Sequence, residues 1–284
     1  MAARRTKGPS VQSVELTLRI LENLAAAGTA KGVTQLGKEL KTTKTRIYRH
    51  LQTLAQAGYV VQESETEHYR AGVKLYFLGQ SMADNFDVIA AGRNEAIALR
   101  DKWGHSVQIS VTLDFKLVIL FIARPLGPFD IGQRVGSTYP VHCTAGGKIY
   151  LAFENSDVEA LLANGPLERY TKHTLTERDE LLREIEKVRT QGWAGVPNES
   201  RLGVNAISAP IFNQDGRLEA SIAILGSVEQ IPAQPPKEML ESLLGTAERI
   251  SRNSGWRPGL PRGGGNSSSL HRLTQIDLKR RKAR

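Results

Sequence analysis

The sequence predicts an α+β protein of two unequal domains, and three observations support this fold class. Helical stripes of apolar residues and short strand-like runs follow one another in mixed order, which is typical of α+β folds. The length of 284 residues favours two domains over one core. Basic residues concentrate at both ends. We expect a flexible basic amino terminus (1–12), a first domain (13–72), a linker helix (73–85), a second domain (86–254) and a disordered basic tail (255–284).

The first domain is predicted from three helical stripes and a strand pair. A helix over residues 14–27 carries the apolar stripe Val14, Leu18, Leu21 and Leu24 and ends at Gly28. A short second helix with Leu36 and Leu40 follows Thr34, and a third carries Ile47, Leu51 and Leu54 after a polar turn. Tyr59 to Val61 and the residues near Tyr69 form two short strands around a turn. Three helices and a hairpin predict a winged helix-turn-helix.

The outward face of the third helix is the candidate DNA-reading surface. Arginine can contact guanine or phosphate, and a helix start favours a phosphate. The glutamates at 63, 65 and 67 would repel phosphate, so only His68 or Arg70 of the wing is expected to approach DNA. A solvated, nonfunctional face is the alternative. The candidate DNA-binding residues are Thr34, Thr43, Lys44, Thr45, Arg46, Tyr48, Arg49, Gln52 and Arg70.

The charge distribution supports this assignment of the first domain. The chain has a net charge of +9, and residues 1–60 hold ten lysines and arginines against three acids. Residues 255–284 hold eight basic residues against Asp277 alone, which leaves the middle of the chain net acidic. Because phosphate attracts cations, the amino-terminal domain is the expected nucleic-acid surface.

The second domain is predicted to alternate helices with antiparallel strand pairs. A linker helix with Leu75, Leu78 and Met82 is expected to help the chain dimerise. Thr176 begins a capping-box pattern before another helix. The remaining predicted helices cover 88–103, 144–153 and 235–250, and the predicted strands cover 107–113, 117–123, 204–211 and 218–225.

Composition excludes several classes of protein. The chain is 40% hydrophobic and 24% charged, with no long uncharged apolar run and no signal-like apolar segment. We therefore expect a cytoplasmic protein with no membrane partner. Cys143 is the only cysteine, so an intramolecular disulfide is impossible and a cysteine-based zinc cluster within one chain is not expected. The sequence predicts no metal and no cofactor.

Several motifs in order resemble the isocitrate-lyase-regulator (IclR) family of bacterial transcription factors, from about residue 13 to about residue 250. SVE at 13–15 and LRIL at 18–21 resemble the first helix of that family, and IYRHLQTL at 47–54 with GYV at 58–60 resembles its recognition helix and wing entry. PVHCTAGGK at 140–148, GWA at 192–194, Glu199 and GVNAISAPI at 203–211 resemble the signatures of its effector domain. One motif would be weak, but the ordered series is specific.

The resemblance implies a GAF-like effector-binding domain built on a six-stranded antiparallel sheet. It also implies dimers or dimers of dimers on a palindromic operator, with a ligand held between the sheet and the motif-bearing loops. A tight strand-to-helix turn, without ligand contact, is the alternative for any single residue there. The candidate effector-binding residues are Cys143, Ala145, Gly146, Gly147, Asn198, Glu199, Ala206, Ser208, Ala223 and Leu225.

The chain departs from the family pattern at positions that bear on the ligand. Val196 and Pro197 stand where many relatives have an acidic residue, Ala206 stands where a cysteine is common, and Ala223 and Leu225 replace polar residues. Fewer polar groups mean fewer hydrogen bonds to an effector. We therefore expect an aromatic or partly apolar organic acid.

The leading hypothesis is a sequence-specific DNA-binding transcriptional regulator, repressor or activator, controlled by a small-molecule effector and without catalysis. One alternative is a nucleic-acid-binding protein without effector control, which would use the basic ends and show little sequence preference. Another is a cysteine-dependent enzyme using His142 and Cys143. Neighbours on a strand point to opposite sides, so these two residues are not expected to form a nucleophile pair.

Overall fold

A computed structural model describes residues 11–83, 87–154 and 158–257, with the side chains of 80–83 and 87 left out. The chain divides into two compact units, with the break between Asn85 and Phe86. The predicted flexible amino terminus and basic tail fall almost entirely on residues 1–10 and 258–284, outside the described residues. No helix among the described residues is both long enough and apolar enough to cross a membrane.

The first unit is a winged helix-turn-helix, as predicted. A core of apolar side chains that includes Leu36, Ile47 and Leu51 holds its helices together. The backbone at Gly28 adopts a left-handed conformation with φ of 64° and ends the first helix, which a glycine does at little cost. The elements are α1 (Gln12–Ala27), α2 (Val33–Glu39), α3 (Lys44–Gln56), β1 (Val60–Gln62), β2 (Tyr69–Ala71) and α4 (Val73–Ala83).

The predicted apolar stripe of α1 was partly wrong. Leu16, Ile20 and Leu24 are buried, whereas Val14 and Leu18 are 55% and 53% exposed. The helix carries apolar residues on two adjacent rows, and both rows satisfy a three-to-four-residue spacing. Packing against α2 and α3, which the spacing does not encode, selects the row at 16, 20 and 24.

The wing is a small antiparallel sheet anchored by a buried tyrosine. Val61 pairs with Arg70 in the β1–β2 register, and Lys31 adds an isolated bridge to Tyr69. The side chain of Tyr69 is fully buried. The wing is therefore tied both to the segment before α2 and to the core of the unit.

The second unit is a six-stranded antiparallel sheet with helices on both faces, as the resemblance implied. The strand order is β5-β4-β3-β8-β7-β6, and each neighbouring pair is antiparallel. The elements are α5 (Asp87–Trp103), β3 (Ser106–Leu113), β4 (Lys116–Ala123), β5 (Thr138–Pro140), α6 (Ala145–Phe153), α7 (Val158–Leu162), α8 (Arg178–Gln191), β6 (Ala194–Gly195), β7 (Val204–Phe212), β8 (Leu218–Ser227) and α9 (Lys237–Asn253).

The two faces of this sheet have separate apolar cores. Ile109 and Ile222 pack with α5 and α9 on one face. Ala223 and Leu225 pack with α6 and α8 on the other. Because side chains alternate along a strand, Gln108 lies on the α6 face.

Two local predictions in the second unit were wrong. Helix α8 begins at Arg178 with no side-chain cap, because the hydroxyl of Thr176 instead accepts a hydrogen bond from Arg169 Nη2. His142 and Cys143 lie in a turn after β5 and not on a strand. In the first unit, the stripe predicted on the linker helix stays a prediction: Leu78 of α4 is 49% exposed, and the side chain of Met82 lies outside the described residues.

Candidate functional site

The outer face of α3 presents a row of exposed polar and basic side chains. Ile47, Leu51 and Leu54 are buried in the core, which fixes the opposite face of the helix towards solvent. The hydroxyl of Thr43 accepts a hydrogen bond from the backbone N–H of Arg46 at 3.4 Å and so caps the helix. The exposed residues from its first two turns are Lys44, Thr45, Arg46, Tyr48 and Arg49.

The start of α3 borders an open depression surrounded by cations. Thr34 and Thr43 contribute hydroxyl groups, and the cationic side chains at its edge are Lys38, Lys41, Lys44 and Arg46. Lys41 sits in the turn before α3 with φ of 52°, a left-handed conformation that lets the chain reverse sharply. A phosphate group would meet both these cations and the positive end of the helix dipole here.

The remaining candidate DNA-binding residues are partly occupied by other contacts. Gln52 is half-buried and donates a hydrogen bond to the hydroxyl of Tyr69 at 3.2 Å. Arg70 is exposed, and its Nε lies 3.7 Å from Glu63 Oε1, so the charge of this wing residue is partly offset. The cations at the start of α3, by contrast, form no ion pair with any residue that the structure describes.

His50 is the one titratable residue of α3 that turns towards the core. Its Nδ1 lies 2.8 Å from the hydroxyl of Thr17 on α1. Burial, and then the positive charges of Arg46 and Arg49, lower the pKa of His50. A neutral His50 therefore links α3 to α1 and adds no charge to the outer face.

A cavity of about 250 Å³ lies in the second unit between the sheet and the start of α6. Five strands contribute to its lining, including Leu117 from β4 and Ala223 from β8. Six of the candidate effector-binding residues line it, namely Cys143, Ala145, Gly146, Ala206, Ala223 and Leu225.

Four other candidate effector-binding residues do not line this cavity, because each has a structural role. A Cβ on Gly147 would lie 2.2 Å from the carbonyl oxygen of Val141, so this glycine allows close packing of backbone. Ser208 donates its hydroxyl to Ile222 O at 2.9 Å. Asn198 Oδ1 accepts a hydrogen bond from the N–H of Gly203 at 2.7 Å. Glu199 is buried in an ion pair.

The Glu199 ion pair supports the loops that close the cavity. Lys148 Nζ, on a fully buried side chain of α6, lies 2.5 Å from Glu199 Oε1 and 3.6 Å from Glu184 Oε1. Burial raises the pKa of Glu199, and Lys148 opposes that shift. The hydroxyl of Thr174 donates to the backbone carbonyl of Glu199 at 2.7 Å. These contacts join the segment that carries Tyr170 to the segment that carries Arg201, and both residues line the cavity.

Polar groups with hydrogen-bonding capacity occur at three places around the cavity. Gln108 on β3 is 4% exposed, and its Oε1 has no hydrogen-bond partner among the described residues. Thr144 donates its hydroxyl to Pro140 O at 2.8 Å and does not cap α6 with its side chain. Arg201 is exposed, and its guanidinium lies in no ion pair within the part of the chain that the structure describes.

Neither Cys143 nor Tyr170 is poised as a nucleophile. Burial, and then the nearby charge of Glu199, raise the pKa of the Cys143 thiol to about 12. The hydroxyl of Tyr170 donates to Glu168 Oε2 at 2.7 Å, and that bond raises the pKa of Tyr170 to about 12. The described residues hold no group of three or more histidines, cysteines, aspartates or glutamates placed to bind a metal.

Sequence reasoning missed several cavity residues. Gln108 lies in the alternating sequence SVQISVTL of β3. Alternation of this kind is typical of a strand with one face in water, so the pattern itself gave no signal that Gln108 faces a cavity. Tyr170 and Arg201 lie in irregular segments, where no periodicity predicts the direction of a side chain. The other missed lining residues are Leu117, Ile131, Gln133, Tyr139, Pro140, Thr144, Val196, Ser200 and Val204.

Comparison with protein-family models matches most of the chain. Residues 80–252 match the carboxy-terminal domain of the bacterial transcriptional regulator IclR. Residues 13–64 match the IclR helix-turn-helix domain. These two ranges contain both the α3 face and the cavity.

Individual relatives and solved structures agree with these matches. The HTH-type transcriptional regulator KdgR of Dickeya chrysanthemi is 28% identical over 247 residues, which cover 86% of this chain and 81% of KdgR. The crystal structure of a transcriptional regulator from Alicyclobacillus acidocaldarius aligns with a TM-score of 0.78 and 26% identity, covering 87% of this chain and 100% of that one. A homologue from Microbacterium hydrocarbonoxydans in complex with 4-hydroxybenzoate aligns with a TM-score of 0.75 at 18% identity, covering 85% and 98%; at that identity the likeness concerns the fold.

Proposed function

The chain belongs to the IclR family of bacterial transcriptional regulators, and we propose that a compact organic acid bound in its cavity controls how it binds a palindromic operator. The observation that carries the proposal is the presence, in one chain, of an exposed basic helix face and a buried ligand-sized cavity. The first suits a large polyanion, and the second suits a small molecule.

The α3 face is proposed to enter the major groove. Arg46 and Arg49 lie one turn apart on its exposed side, and an arginine can bind the O6 and N7 atoms of guanine with two hydrogen bonds. The cations around the depression at the start of α3 would bind the phosphate backbone and fix the register of the helix. Base contacts would then supply specificity, and phosphate contacts would supply affinity.

The effector is proposed to be a partly apolar acid with a single ring. A cavity of about 150 Å³ accepts benzene, so about 250 Å³ leaves room for a ring and one or two substituents. The floor is largely apolar, with Leu117, Ala223 and Leu225. Arg201 and the start of α6 provide positive potential for a carboxylate. The 4-hydroxybenzoate bound by the Microbacterium hydrocarbonoxydans homologue belongs to this class and is the first probe to use.

Regulation requires two arrangements of paired winged helices. An effector can shift DNA affinity only if it binds the two arrangements with unequal affinity. We propose a homodimer or dimer of dimers, since two-fold symmetry of the protein would match a palindromic operator. Tyr76 and Phe77 of α4, which are 62% and 60% exposed, supply apolar area for such an assembly. We propose that the protein acts in the cytoplasm, where the bacterial chromosome lies.

We also propose that the protein catalyses no reaction. The raised pKa of Cys143 keeps the thiol protonated at neutral pH, and a thiol is a far weaker nucleophile than a thiolate. Slow alkylation of Cys143 by iodoacetamide in the native protein is the expected result. Rapid alkylation at pH 7 would revive the cysteine-dependent alternative.

Selection of bound duplexes from a random DNA pool tests the proposal. We expect enrichment of a palindromic sequence that binds at least about 10³-fold more tightly than random competitor. Adding ring carboxylates one at a time should then change the operator Kd by about 5- to 150-fold for at least one compound. Binding that depends on salt but not on sequence would favour the alternative without effector control.

A further inference from the structure

Gln108 is a buried amide whose carbonyl oxygen is not used by the fold. Val107 and Ile109, its neighbours on β3, pack into the core formed with α5 and α9, so Gln108 faces the cavity from the other side of the sheet. Its residue is 4% exposed, and Oε1 has no hydrogen-bond partner among the described residues. A buried polar atom without a partner destabilises a protein, and such an atom in a native structure calls for an explanation.

The neighbours of Gln108 across the sheet leave this oxygen exposed to the cavity. Gln108 is directly opposite Ala223, and Ala223 is opposite Ser208 on the next strand. Ala223 has only a methyl group, and Ser208 already donates its hydroxyl to Ile222 O. The hydroxyl of Ser110, two residues along β3, lies 3.3 Å from that of Ser221. Of these side chains, that of Gln108 is the one with a buried oxygen that has no hydrogen-bond partner among the described residues.

The polar groups outside the sheet have the opposite character. Arg201 carries a positive charge at the edge of the cavity, and the N–H groups of the first turn of α6 point away from the helix at Ala145 and Gly146. These groups favour an anion, whereas Gln108 Oε1 favours a hydrogen-bond donor. A complementary ligand carries a carboxylate on one end and a donor on the other.

We propose that Gln108 is the residue that determines effector specificity, by selecting ring carboxylates that carry a hydroxyl group on the side of the ring away from the carboxylate. This inference rests on the proposed function of the same cavity. A hydroxyl suits the site because its O–H can donate to Gln108 Oε1. If the amide group is turned by 180°, the hydroxyl oxygen can instead accept a hydrogen bond from Nε2. A ligand without the hydroxyl leaves the amide unpaired, and sites of this kind reject such analogues strongly.

Two matched pairs of compounds test the proposal on the full-length protein. The pairs are benzoate with 4-hydroxybenzoate, and cyclohexanecarboxylate with trans-4-hydroxycyclohexanecarboxylate. By isothermal titration calorimetry, the wild type should bind the hydroxylated member of at least one pair at least tenfold more tightly. Gln108→Leu should reduce that preference to threefold or less. Gln214→Leu removes an exposed amide in the turn between β7 and β8, outside the cavity, and should keep the preference.

The melting temperature without ligand separates a specificity role from a structural one. Gln108→Leu should raise it by about 2–4 °C, because an unpaired buried amide is replaced by an apolar side chain of similar size. A lower melting temperature would mark the amide as structural and overturn the proposal. So would equal binding within both pairs by the wild type, a preference that survives Gln108→Leu, or no binding of any of the four acids.

The two proposals can fail separately. If an acid changes operator binding but no hydroxyl preference exists, the role of Gln108 fails and the regulatory function stands. If the preference exists and is lost in Gln108→Leu, while no acid that binds alters the affinity for the selected operator, the role of Gln108 stands and the regulatory function fails.

Discussion

The α3 face and the cavity are built in opposite ways. The α3 face comes from consecutive turns of one helix, and its residues are exposed. The cavity draws its walls from five strands, the start of α6 and several irregular segments, and most of its residues are buried or half-buried. Changes on the α3 face should therefore alter DNA affinity at little cost in stability. Changes around the cavity should affect stability and ligand binding together.

Removing the charge of Lys148 is the strongest test of this contrast. Lys148→Met removes the cation that contacts the buried Glu199 carboxylate. Removing one partner of a buried ion pair typically costs about 3–5 kcal/mol. We expect that loss in the free energy of unfolding, measured with urea. Lys187→Met removes an exposed lysine 3.7 Å from Glu184 and should cost less than about 1 kcal/mol.

The double variant Lys148→Met with Glu199→Gln should recover part of the loss, because no uncompensated charge remains. Equal losses in unfolding free energy for the Lys148 and Lys187 variants would contradict the view that this pair supports the cavity wall.

Glycine substitutions sharpen the same comparison through packing. Gly147→Ala should destabilise the protein by about 3 kcal/mol, the upper part of the range for overpacked cores, because the new Cβ would lie 2.2 Å from Val141 O. Gly79 lies on α4, and a Cβ added there would have no described atom of the surrounding structure within 4 Å. Gly79→Ala should therefore stabilise by up to about 1 kcal/mol through helix propensity. Thermal unfolding of both variants measures the difference, and a Gly147→Ala protein as stable as the wild type would refute the packing role of Gly147.

The α3 face should respond in affinity and not in stability. Arg46→Ala is expected to weaken binding to the selected operator by about 1–3 kcal/mol if Arg46 contacts a base, with an unfolding free energy within about 0.5 kcal/mol of wild type. Arg252→Ala, an exposed arginine on α9 of the second unit, is the control and should leave the operator Kd unchanged. A mobility-shift titration measures both. An unchanged Kd for Arg46→Ala would remove this residue from the DNA surface.

The pH dependence of stability should be the smallest effect. Burial lowers the pKa of His142 below 6.5 in the folded protein, so the unfolded chain binds the proton more readily. Stability from a neutral His142 is therefore present above pH 6.5 and is lost as the pH falls from 6.5 towards the lowered folded value, by at most about 1.4 kcal/mol per pH unit for one group. His142→Gln should flatten the slope of unfolding free energy between pH 7.5 and 5.5. The exposed His173→Gln control should not.

Sequence periodicity predicted most helices and strands. Among the helices of the first domain, it assigned the wrong buried face only to α1, which carries two apolar rows. The third helix was assigned with its buried face correct, because Ile47, Leu51 and Leu54 form the one apolar row on it. On α1 two rows compete, and Val14 and Leu18 were assigned to the core in place of Leu16 and Ile20. Strands β5 and β6, of three and two residues, are too short for alternation to show.

The cavity was predictable only in part, since its walls depend on tertiary contacts. Ala206, Ala223 and Leu225 could be placed by family motifs that share one face of the sheet. Two residues of the same motifs do not line the cavity. Gly147 allows close packing against Val141, and Ser208 donates its hydroxyl to the backbone carbonyl of Ile222. Tyr170 and Arg201 reach the cavity because Lys148, Thr171 and Thr174 hold their segments together. No sequence pattern encodes such contacts.

Reciprocal linkage between the two units is the most direct test of the regulatory account. The operator Kd should be measured by fluorescence anisotropy with and without a saturating ring carboxylate, and the Kd of that carboxylate should be measured by calorimetry with and without saturating operator. The account predicts that both constants change by the same factor, about 5- to 150-fold, and that Ala223→Phe, which fills the cavity floor, abolishes both changes. An operator Kd that is identical with and without a carboxylate known to occupy the cavity would contradict it.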